Sequence, residues 1–455
     1  MNRCLMAFIL FLVLPVGLAA QAVRYEPNWE SIDKRPTPRW FDEAKFGVFV
    51  VWGLYSVPAY APPATKEGLA YAEWYWKELE KKDSPTWQFH VKTYGTNLRY
   101  QDFVPAFTAE AFNPDQWADL FAQSGARYIV FTAKFHDGYA LWPSRYSWNW
   151  NSVDLHPHRD LVDELGKAVV ARGLKMGFYY SLYEWYNPLY LEDPRAYAEL
   201  HMIPQMKELV ERYRPSVFWT DGEWEQPSSV WGSTKFLAWL FNDSPVKDEV
   251  DINDRWGKET RSKDGGFYSS EYGRYMPEGV TQGPAHKWEE SQGMGKSYGY
   301  NRMEAATDYR SANELVHLLV DTVNKGGNLL LDVGPTADGR IPVIMQERLL
   351  AMGAWLKVNG EAIYGSHPWR QISEGDVRYT SRGDAVYAIA ETWPGSELVL
   401  SAPRPTAKTA VTFLGRNLPL KWRQADGKLH LELPPLSGTE LALPGAYVFK
   451  LTGVE

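Results

Sequence analysis

One apolar run in this chain ends abruptly in carboxylates that lie between tryptophans. The run reads VFWTDGEWE over Val217–Glu225, and its acids are Asp221, Glu223 and Glu225. A buried strand cannot hold unpaired charges in its interior, so acids at its end are expected at the rim of a sheet. Paired carboxyl groups beside aromatic rings suit glycoside hydrolysis, because the carboxyl groups break the bond while the rings pack against the sugar. The alternative is a loop whose acids are simply solvated.

Further polar and aromatic residues follow other candidate strands. Glu73 stands beside Trp74, His136 follows a second apolar run, and carboxylates recur at Glu271 and Glu289. A retaining glycosidase needs one ionised carboxylate as nucleophile and one protonated carboxyl group as acid, about 5–5.5 Å apart. The sequence supplies several candidates for this pair but no distances between them.

Short apolar segments alternate with amphipathic segments from about residue 40 to residue 360, which indicates parallel strands joined by helical crossovers. In a barrel of this α/β class the carboxyl ends of the strands carry the chemistry. Residues 215–310 are rich in loops, so we expect an irregular (β/α)8-like barrel. The predicted strands are Phe46–Trp52, Tyr128–Thr132, Leu174–Tyr180, Val217–Thr220 and Asn328–Val333, and the predicted helices are Asn113–Ser124, Arg159–Ala171, Arg195–Tyr213, Ala312–Asn324 and Pro342–Asn359.

The pattern changes after Gly360. From Trp369 onward, short alternating segments are broken by glycine and proline, which is typical of a small antiparallel β-sandwich. We therefore predict a catalytic barrel domain over residues 23–364 and a C-terminal β-sandwich domain over residues 365–455. The segments that carry this pattern are Val386–Thr392, Glu397–Ser401, Thr409–Phe413 and Ala446–Leu451.

Composition argues against several classes of function. The formal net charge is -8 and no basic run occurs, which argues against a nucleic-acid partner. The single cysteine, Cys4, lies in the N-terminal segment, and there is no His-Glu-x-x-His pattern, so zinc sites of these kinds are not expected. The 21 Trp and 27 Tyr residues exceed what a core alone requires, which favours a carbohydrate cleft. No metal or organic cofactor is expected.

Residues 1–22 have the composition of a cleaved signal peptide. Asn2 and Arg3 form a short polar region, Leu5–Leu18 is apolar, and Gly17–Ala22 offers a cleavage site with small residues. The apolar region is too short to span a bilayer, and no later stretch is long enough. We therefore expect a secreted or periplasmic protein, with a retained N-terminal anchor as the alternative. The absence of cysteine after the leader favours a bacterial periplasm or exterior.

Several long strings of residues resemble the glycoside hydrolase family 29 α-L-fucosidases. The resemblance covers nearly the whole chain after the leader and points to the broad-specificity branch that contains the animal lysosomal enzymes. It implies an irregular (β/α) barrel followed by a β-sandwich, and hydrolysis of terminal α-L-fucosides. The strings are WFDEAKFG at Trp40–Gly47, WPSRYSWNWNS at Trp142–Ser152, YSLYEW at Tyr180–Trp185, NDSPVKDEV at Asn242–Val250 and NDRWG at Asn253–Gly257.

The resemblance also implies roles for the carboxylates. Asp221 matches the nucleophile of the family, and Glu223 is expected to orient a neighbouring loop. Glu271 matches the glutamate that many bacterial members use as acid/base, whereas Glu289 matches a glutamate proposed for that role in the animal branch. We favour Glu271 and keep Glu289 as the alternative. Tyr272 stands where the animal enzymes carry an aspartate, which removes a third candidate.

The family binds fucose through residues that this chain matches in part. Val51 stands where the family has a histidine in Ile-His-Trp-Gly, and Phe135 stands where it has the first of two adjacent histidines. Each lost hydrogen bond to a sugar hydroxyl is worth about 0.5–1.5 kcal/mol. We interpret the two changes either as weakening within one glycosidase or as a changed sugar specificity. The matching positions hold Glu73, Trp74, His136, Tyr179 (or its neighbour Tyr180), Trp219 and Arg255.

Together these patterns predict an exported retaining exo-α-L-fucosidase that acts on fucosylated glycans or glycoconjugates. One alternative is a glycosidase of the same mechanism on a related sugar such as an α-L-galactoside. The extra 6-hydroxyl of that sugar needs polar groups that Val51 and Phe135 do not offer. A second alternative is a glycan-binding protein with weak catalysis, against which the intact nucleophile argues. The sequence leaves open whether the protein is a monomer or a homo-oligomer.

Overall fold

Eight strands form the sheet that carries the candidate residues. A computed structural model describes residues 23–63, 68–274, 286–416, 418–438 and 445–455. The predicted leader at residues 1–22 lies outside the described residues, so its cleavage stays a prediction. The strands are β1 (Phe46–Val50), β2 (Tyr128–Lys134), β3 (Lys175–Ser181), β4 (Val217–Asp221), β5 (Asp251–Ile252), β6 (Tyr268–Glu271), β7 (Trp288–Gly293) and β8 (Asn328–Val333).

These strands pair in the order β5-β4-β3-β2-β1-β8-β7-β6, and every neighbouring pair is parallel. The two ends of the order meet at a parallel bridge between Asn253 and Phe267, so the sheet curls round on itself. Parallel sheets are buried on both faces and therefore favour continuous apolar runs, as β1 shows with its fully buried sequence FGVFV. The predicted irregular barrel is confirmed.

Helices follow most of these strands. The α-helices are α1 (Trp29–Ile32), α2 (Arg39–Ala44), α3 (Tyr75–Leu79), α4 (Pro85–Tyr94), α5 (Pro114–Gln123), α6 (Leu161–Ala171), α7 (Pro188–Glu192), α8 (Pro194–Tyr197), α9 (Ile203–Tyr213), α10 (Ser228–Trp231), α11 (Ser233–Asn242), α12 (Ala312–Val323) and α13 (Val343–Asn359). Asn113 caps α5 by accepting a hydrogen bond from the backbone N of Gln116 at 3.1 Å. The single helix predicted over Arg195–Tyr213 consists of α8, a π-helical turn at Ala198–Met202 and α9 in succession.

The stretch between β4 and β8 departs most from regular alternation. Strand β5 has only two residues, and no α-helix occurs among the described residues between 243 and 311. Loops therefore carry much of this side of the barrel, as the sequence predicted. Short 3-10 helices occur at Leu54–Ser56, Ala72–Trp74, Tyr100–Ala106, Ala306–Asp308 and Gly360–Ala362.

The C-terminal part of the chain forms two antiparallel sheets. Its strands are β9 (His367–Glu374), β10 (Val377–Arg382), β11 (Ala385–Ala390), β12 (Glu397–Leu400), β13 (Pro405–Phe413), β14 (Leu418–Pro419), β15 (Trp422–Ala425), β16 (Lys428–Glu432) and β17 (Tyr447–Val454). The orders are β14-β13-β17-β11-β10-β9 and β12-β16-β15. Buried Leu400, Leu431 and Phe449 from both sheets share one core, so the predicted sandwich is confirmed. The domain boundary at residue 365 stays a proposal.

Candidate active site

One cavity at the carboxyl ends of the barrel strands is lined by ten of the eleven predicted site residues. Its volume is about 460 Å³. Strand β3 supplies Tyr179, β4 supplies Trp219 and Asp221, and β6 ends at Glu271. The other predicted residues of the lining, which lie in the segments that follow strands, are Val51, Glu73, Trp74, Phe135, His136 and Arg255.

Asp221 is buried at the end of β4 and accepts hydrogen bonds at both carboxylate oxygens. Arg255 Nη1 donates to Oδ1 at 2.8 Å, and Tyr179 Oη donates to Oδ2 at 2.8 Å. Burial has the largest single effect and raises the pKa of Asp221, but the adjacent Arg255 guanidinium, together with other nearby basic groups, outweighs it and holds the pKa below its usual value. Near neutral pH the carboxylate is therefore ionised and oriented, as nucleophilic attack requires.

Arg255 joins two carboxylates of the cavity. Its Nη1 holds Asp221, and its Nη2 donates to Glu271 Oε2 at 3.3 Å. The guanidinium is fixed by Nε, which donates to Ser269 Oγ at 2.9 Å, and by the Trp219 ring, whose centre lies 4.4 Å from Cζ. Two carboxylates that share one guanidinium lie only a few ångströms apart, which is compatible with the spacing of a retaining pair.

A tight turn presents Glu271 to the cavity. Glu271 N donates to Arg274 O at 3.1 Å and Arg274 N donates back to Glu271 O at 2.9 Å. Between them, Tyr272 and Gly273 adopt left-handed backbone conformations with φ of 50° and 72°. This geometry closes a two-residue hairpin turn. Tyr71 Oη donates to Glu271 Oε1 at 2.9 Å, so both oxygens of this carboxyl group have partners.

Glu289, the alternative acid/base, does not line the cavity. It is fully buried in β7, where Oε1 accepts a hydrogen bond from Trp219 Nε1 at 2.9 Å and Oε2 accepts one from Tyr128 Oη. Burial raises the pKa of Glu289 to about 7, because these hydrogen bonds offset only part of the lost hydration. The Glu289 side chain thus holds the Trp219 ring in place and does not face the cavity.

Glu73 and Trp74 come from a 3-10 helix on the wall of the cavity. Glu73 is buried and accepts hydrogen bonds from Gly299 N at 2.9 Å and Ser297 Oγ at 3.1 Å. Burial nevertheless raises the pKa of Glu73 to about 7. The Trp74 ring lies nearly parallel to that of Trp224, with 6.2 Å between ring centres, so the two rings form an aromatic wall.

His136 is neutral in this site. Burial lowers its pKa to about 4. The Ser181 hydroxyl donates to Tyr183 O at 2.5 Å, so it accepts from His136 Nδ1, which lies 2.6 Å away. The proton of the neutral imidazole is therefore on Nδ1. This leaves Nε2, 3.7 Å from Asp221 Oδ2, as a hydrogen-bond acceptor.

The floor of the cavity is apolar where Val51 and Phe135 lie. The Phe135 ring stacks on Tyr179 with 5.7 Å between ring centres and 17° between planes. Val51 N donates to Asp332 Oδ1 at 3.2 Å, but the Val51 side chain brings no polar atom to the lining. Phe49 of β1 extends this apolar surface. The two departures noted in the sequence thus both lie in the lining of this cavity.

Several lining residues were missed by the sequence-based assignment. Arg261 Nη2 holds Glu223 Oε1 at 3.0 Å, while Glu223 Oε2 is buried without a hydrogen-bond partner among the described residues. Burial raises the pKa of Glu223 to about 7. The position of Glu223, two residues after Asp221, could have predicted that it lines the cavity. No local sequence pattern predicts the same for Tyr71. The remaining missed lining residues are Phe49, Trp224, Lys258, Arg274, Ser291 and Tyr298.

Within the described residues, no group of three or more histidine, aspartate or glutamate side chains could hold a metal ion. In the same part of the chain, no helix is long and apolar enough to cross a membrane. Asp221 and Glu271, two carboxylates of the cavity, both pair with Arg255.

Paired carboxyl groups in an aromatic-lined cavity at the rim of a (β/α) barrel are characteristic of glycoside hydrolases. The family model described as alpha-L-fucosidase matches residues 12–361, and the model for the alpha-L-fucosidase C-terminal domain matches residues 371–452. This chain belongs to the α-L-fucosidase family. The resemblance seen in the sequence and the assignment as a glycoside hydrolase are confirmed.

Individual relatives are similar over nearly their whole length. Tissue α-L-fucosidase from Bos taurus is 48% identical over 444 residues, which cover 95% of this chain and 92% of the bovine protein. Tissue α-L-fucosidase from Homo sapiens is 46% identical over 467 residues, covering 98% and 97% of the two chains. The crystal structure of Thermotoga maritima α-fucosidase with a mechanism-based inhibitor has a TM-score of 0.81 at 37% identity, covering 94% of this chain and 100% of that chain.

Proposed function

We propose that this protein is an exported, retaining exo-α-L-fucosidase that removes terminal α-L-fucosyl residues from glycans and glycoconjugates. The observation that carries the proposal is the Arg255 guanidinium, which holds Asp221 and Glu271 together in one cavity. Family membership supports fucose as the sugar. The Thermotoga maritima α-fucosidase in complex with fucose, with a TM-score of 0.80 at 36% identity, supports it further.

The reaction takes two steps. Asp221 attacks the anomeric carbon while Glu271 gives a proton to the leaving glycosidic oxygen, which produces a fucosyl-enzyme ester and frees the aglycone. Water then attacks the same carbon, Glu271 takes a proton from that water, and Asp221 leaves as a carboxylate. Each step inverts the anomeric centre, so the released fucose has the configuration of the substrate. Arg255 and Tyr179 keep Asp221 ionised and aimed before the first step.

The choice of Glu271 over Glu289 as acid/base rests on access to the cavity. The Glu271 side chain lines the cavity and is 20% exposed, whereas Glu289 is fully buried and engaged at both oxygens. An acid/base must reach the leaving oxygen in the first step and water in the second. These contacts support Glu271 and leave Glu289 a structural role beneath Trp219.

The sugar is held, in this proposal, by the polar and aromatic lining of the floor. His136 Nε2 accepts a hydrogen bond from a sugar hydroxyl, and Trp74 offers a ring face to the C–H groups of the sugar. Val51 and Phe135 contact the sugar through carbon atoms only. A cavity of about 460 Å³ holds one sugar with part of its aglycone, which supports removal of terminal residues. The other proposed contacts are Glu73, Tyr179, Trp219 and Arg255.

Export rests on the leader-like composition of residues 1–22. The mature protein isolated from medium or periplasm should begin near Val23 when its N-terminus is sequenced. A secreted protein that still begins at Met1 would contradict cleavage. The division into a barrel over residues 23–364 and a sandwich over residues 365–455 can be checked by limited proteolysis, which should cut between the two.

A substrate panel tests the activity. Purified protein is incubated with aryl α-L-fucoside, aryl α-L-galactoside and aryl β-D-galactoside, and the released phenol is measured. We expect hydrolysis of the fucoside well above that of the other two. Faster hydrolysis of the α-L-galactoside would favour the related-sugar alternative. Glycan binding without hydrolysis of any substrate would favour the glycan-binding alternative.

A further inference from the structure

The lining of the active-site cavity divides into a buried floor and an exposed rim. Phe135 and Trp219 on the floor are 6% and 2% exposed, whereas Trp224 at the rim is 39% exposed. Lys258 and Arg274 line the same cavity and are exposed as well. Because a terminal sugar occupies the floor beside the nucleophile, the rest of the glycan must lie at this rim.

Two cations of the rim, Lys258 and Arg274, form no ion pair with the described carboxylates of the cavity. Arg255 is committed to Asp221 and Glu271, with which it forms ion pairs at 2.8 and 3.3 Å. Among the residues that the structure describes, neither Lys258 nor Arg274 forms an ion pair with an acid. The turn that presents Glu271 also ends at Arg274, so this cation lies beside the proposed acid/base.

Nearby acids neutralise this rim only in part. Glu259, next to Lys258 in the chain, accepts hydrogen bonds from Ser228 N at 3.0 Å and Ser228 Oγ at 2.6 Å. Glu73 and Glu223 hold their protons part of the time near neutral pH, because burial raises the pKa of each to about 7. Burial raises the pKa of Glu259, but the hydrogen bonds from Ser228 and the charge of Lys258 outweigh burial and lower it, so Glu259 stays ionised and offsets part of the charge of Lys258. Arg274 forms no ion pair with an acid among the described residues of the lining.

The two side chains have complementary chemistry toward anions. An arginine guanidinium offers a planar fork of donors that matches a sulfate or a carboxylate, and a lysine ammonium adds a compact charge with three donors. Neutral sugar hydroxyls are served by the uncharged and aromatic groups of the floor. Two exposed cations in the lining of one cavity match the chemistry of a negatively charged group on the bound glycan.

We propose that Lys258 and Arg274 form an anion-binding subsite at the cavity rim, which selects fucosylated glycans whose next sugar carries a sulfate ester or a carboxylate. The subsite rests on the proposed fucosidase activity, since it binds the leaving part of that substrate. The same fucosidic bond is cleaved, and the subsite increases the affinity of the enzyme for substrates with an anionic aglycone.

The test uses three oligosaccharides that differ only in the sugar next to fucose, which is unmodified, sulfated or oxidised to a uronic acid. The readout is the ratio of kcat/KM for each anionic substrate to that of the neutral one, at low and high salt. We expect the full-length enzyme to prefer at least one anionic substrate by about 5-fold or more, and salt to weaken the preference. Lys258→Ala with Arg274→Ala should abolish it.

Two controls accompany the double variant. Lys258→Arg keeps the charge and should keep the preference. Lys235→Ala removes an equal charge from an exposed position of α11 outside the cavity, and its ratio should match that of the parent.

The outcomes separate the subsite from the activity. A preference for one anion only supports the subsite and identifies its ligand as sulfate or carboxylate. A parent enzyme without any preference, or a preference that the double variant retains, overturns the subsite while the fucosidase activity stands. Absence of hydrolysis of aryl α-L-fucoside overturns the proposed function itself, before any ratio is measured.

Discussion

The two halves of the barrel supply different parts of the site and are built from different kinds of strand. Strands β1–β4 and β8 are apolar runs. Of these, β1–β4 lead into the cavity floor and Asp221. Strands β5–β7 are short or polar: β5 has two residues, β6 reads YSSE, and the fully buried β7 reads WEESQG. This second half contributes Arg255, which follows β5, and Glu271 at the end of β6.

The two proposed catalytic groups, Asp221 and Glu271, are held in position by different kinds of interaction. Packing of an apolar sheet places Asp221, whereas a hydrogen-bonded turn and the Tyr71 hydroxyl place Glu271. Arg255 spans the junction, since it contacts one carboxylate from each half. Changes in the apolar half should therefore alter the shape of the floor, and changes in the polar half should alter protonation and pairing.

Removal of the proposed nucleophile from the apolar half should cause the largest loss of activity. Asp221→Gly should lower kcat/KM on aryl α-L-fucoside by about three orders of magnitude or more, because the covalent route is lost. Added azide should restore part of the turnover and give the β-fucosyl azide. Glu225→Gln, on the same loop, is the control and should keep most of the activity. Near-normal turnover by Asp221→Gly would end the assignment.

The polar half is tested by Glu271→Ala. Natural glycans have basic leaving oxygens, so loss of the acid should slow their hydrolysis by about 10²–10⁴-fold. Activated aryl fucosides should be affected far less, and the alkaline limb of the pH–rate profile should flatten. Glu289→Gln is the matched comparison and should show neither effect. If Glu289→Gln showed these two effects and Glu271→Ala did not, Glu289 would be the acid/base.

A buried carboxyl group in β7 should make stability depend on pH. Burial raises the pKa of Glu289 to about 7, from about 4.3 in an unfolded chain. The folded state thus binds this proton more tightly, so the contribution is present below pH ~4.3 and is lost as the pH rises through about 7. The loss amounts to about 3 kcal/mol. Glu73 and Glu223 also have pKa values raised to about 7, so both proteins should lose stability between pH 5 and pH 8. Denaturant unfolding should show a loss that is smaller in Glu289→Gln than in the parent by the contribution of Glu289.

Changes in the apolar floor should have the smallest effect on activity, and this effect should be an increase. Val51→His with Phe135→His should raise kcat/KM on aryl α-L-fucoside by about 10-fold, consistent with two hydrogen bonds to sugar hydroxyls. Both sites line the same cavity and would contact the same sugar, so their effects should be non-additive. Phe135→Leu, which stays apolar, should bring no gain. A folded double variant no better than the parent would mean that the floor is shaped for a different sugar.

The same contrast explains what could be predicted from the sequence. Strands β1–β4 and β8 were predicted because parallel strands buried on both faces are apolar throughout. Strands β5–β7 carry no such run, since they bury polar side chains that support the site: Ser269 fixes Arg255, and Glu289 fixes Trp219. Ten of the residues that line the cavity were predicted because they lie in or after predicted strands or match family motifs. Tyr71 and Arg261 reach the cavity from loops through tertiary folding, which no local pattern records.

The proposed double displacement is tested most directly by the anomeric configuration of the sugar first released from aryl α-L-fucoside. Proton NMR can follow it before mutarotation mixes the anomers. With Asp221 as nucleophile and Glu271 as acid/base, the first product is α-L-fucose, because two inversions restore the configuration of the substrate. Release of β-L-fucose as the first product would contradict the double displacement and the role of Asp221.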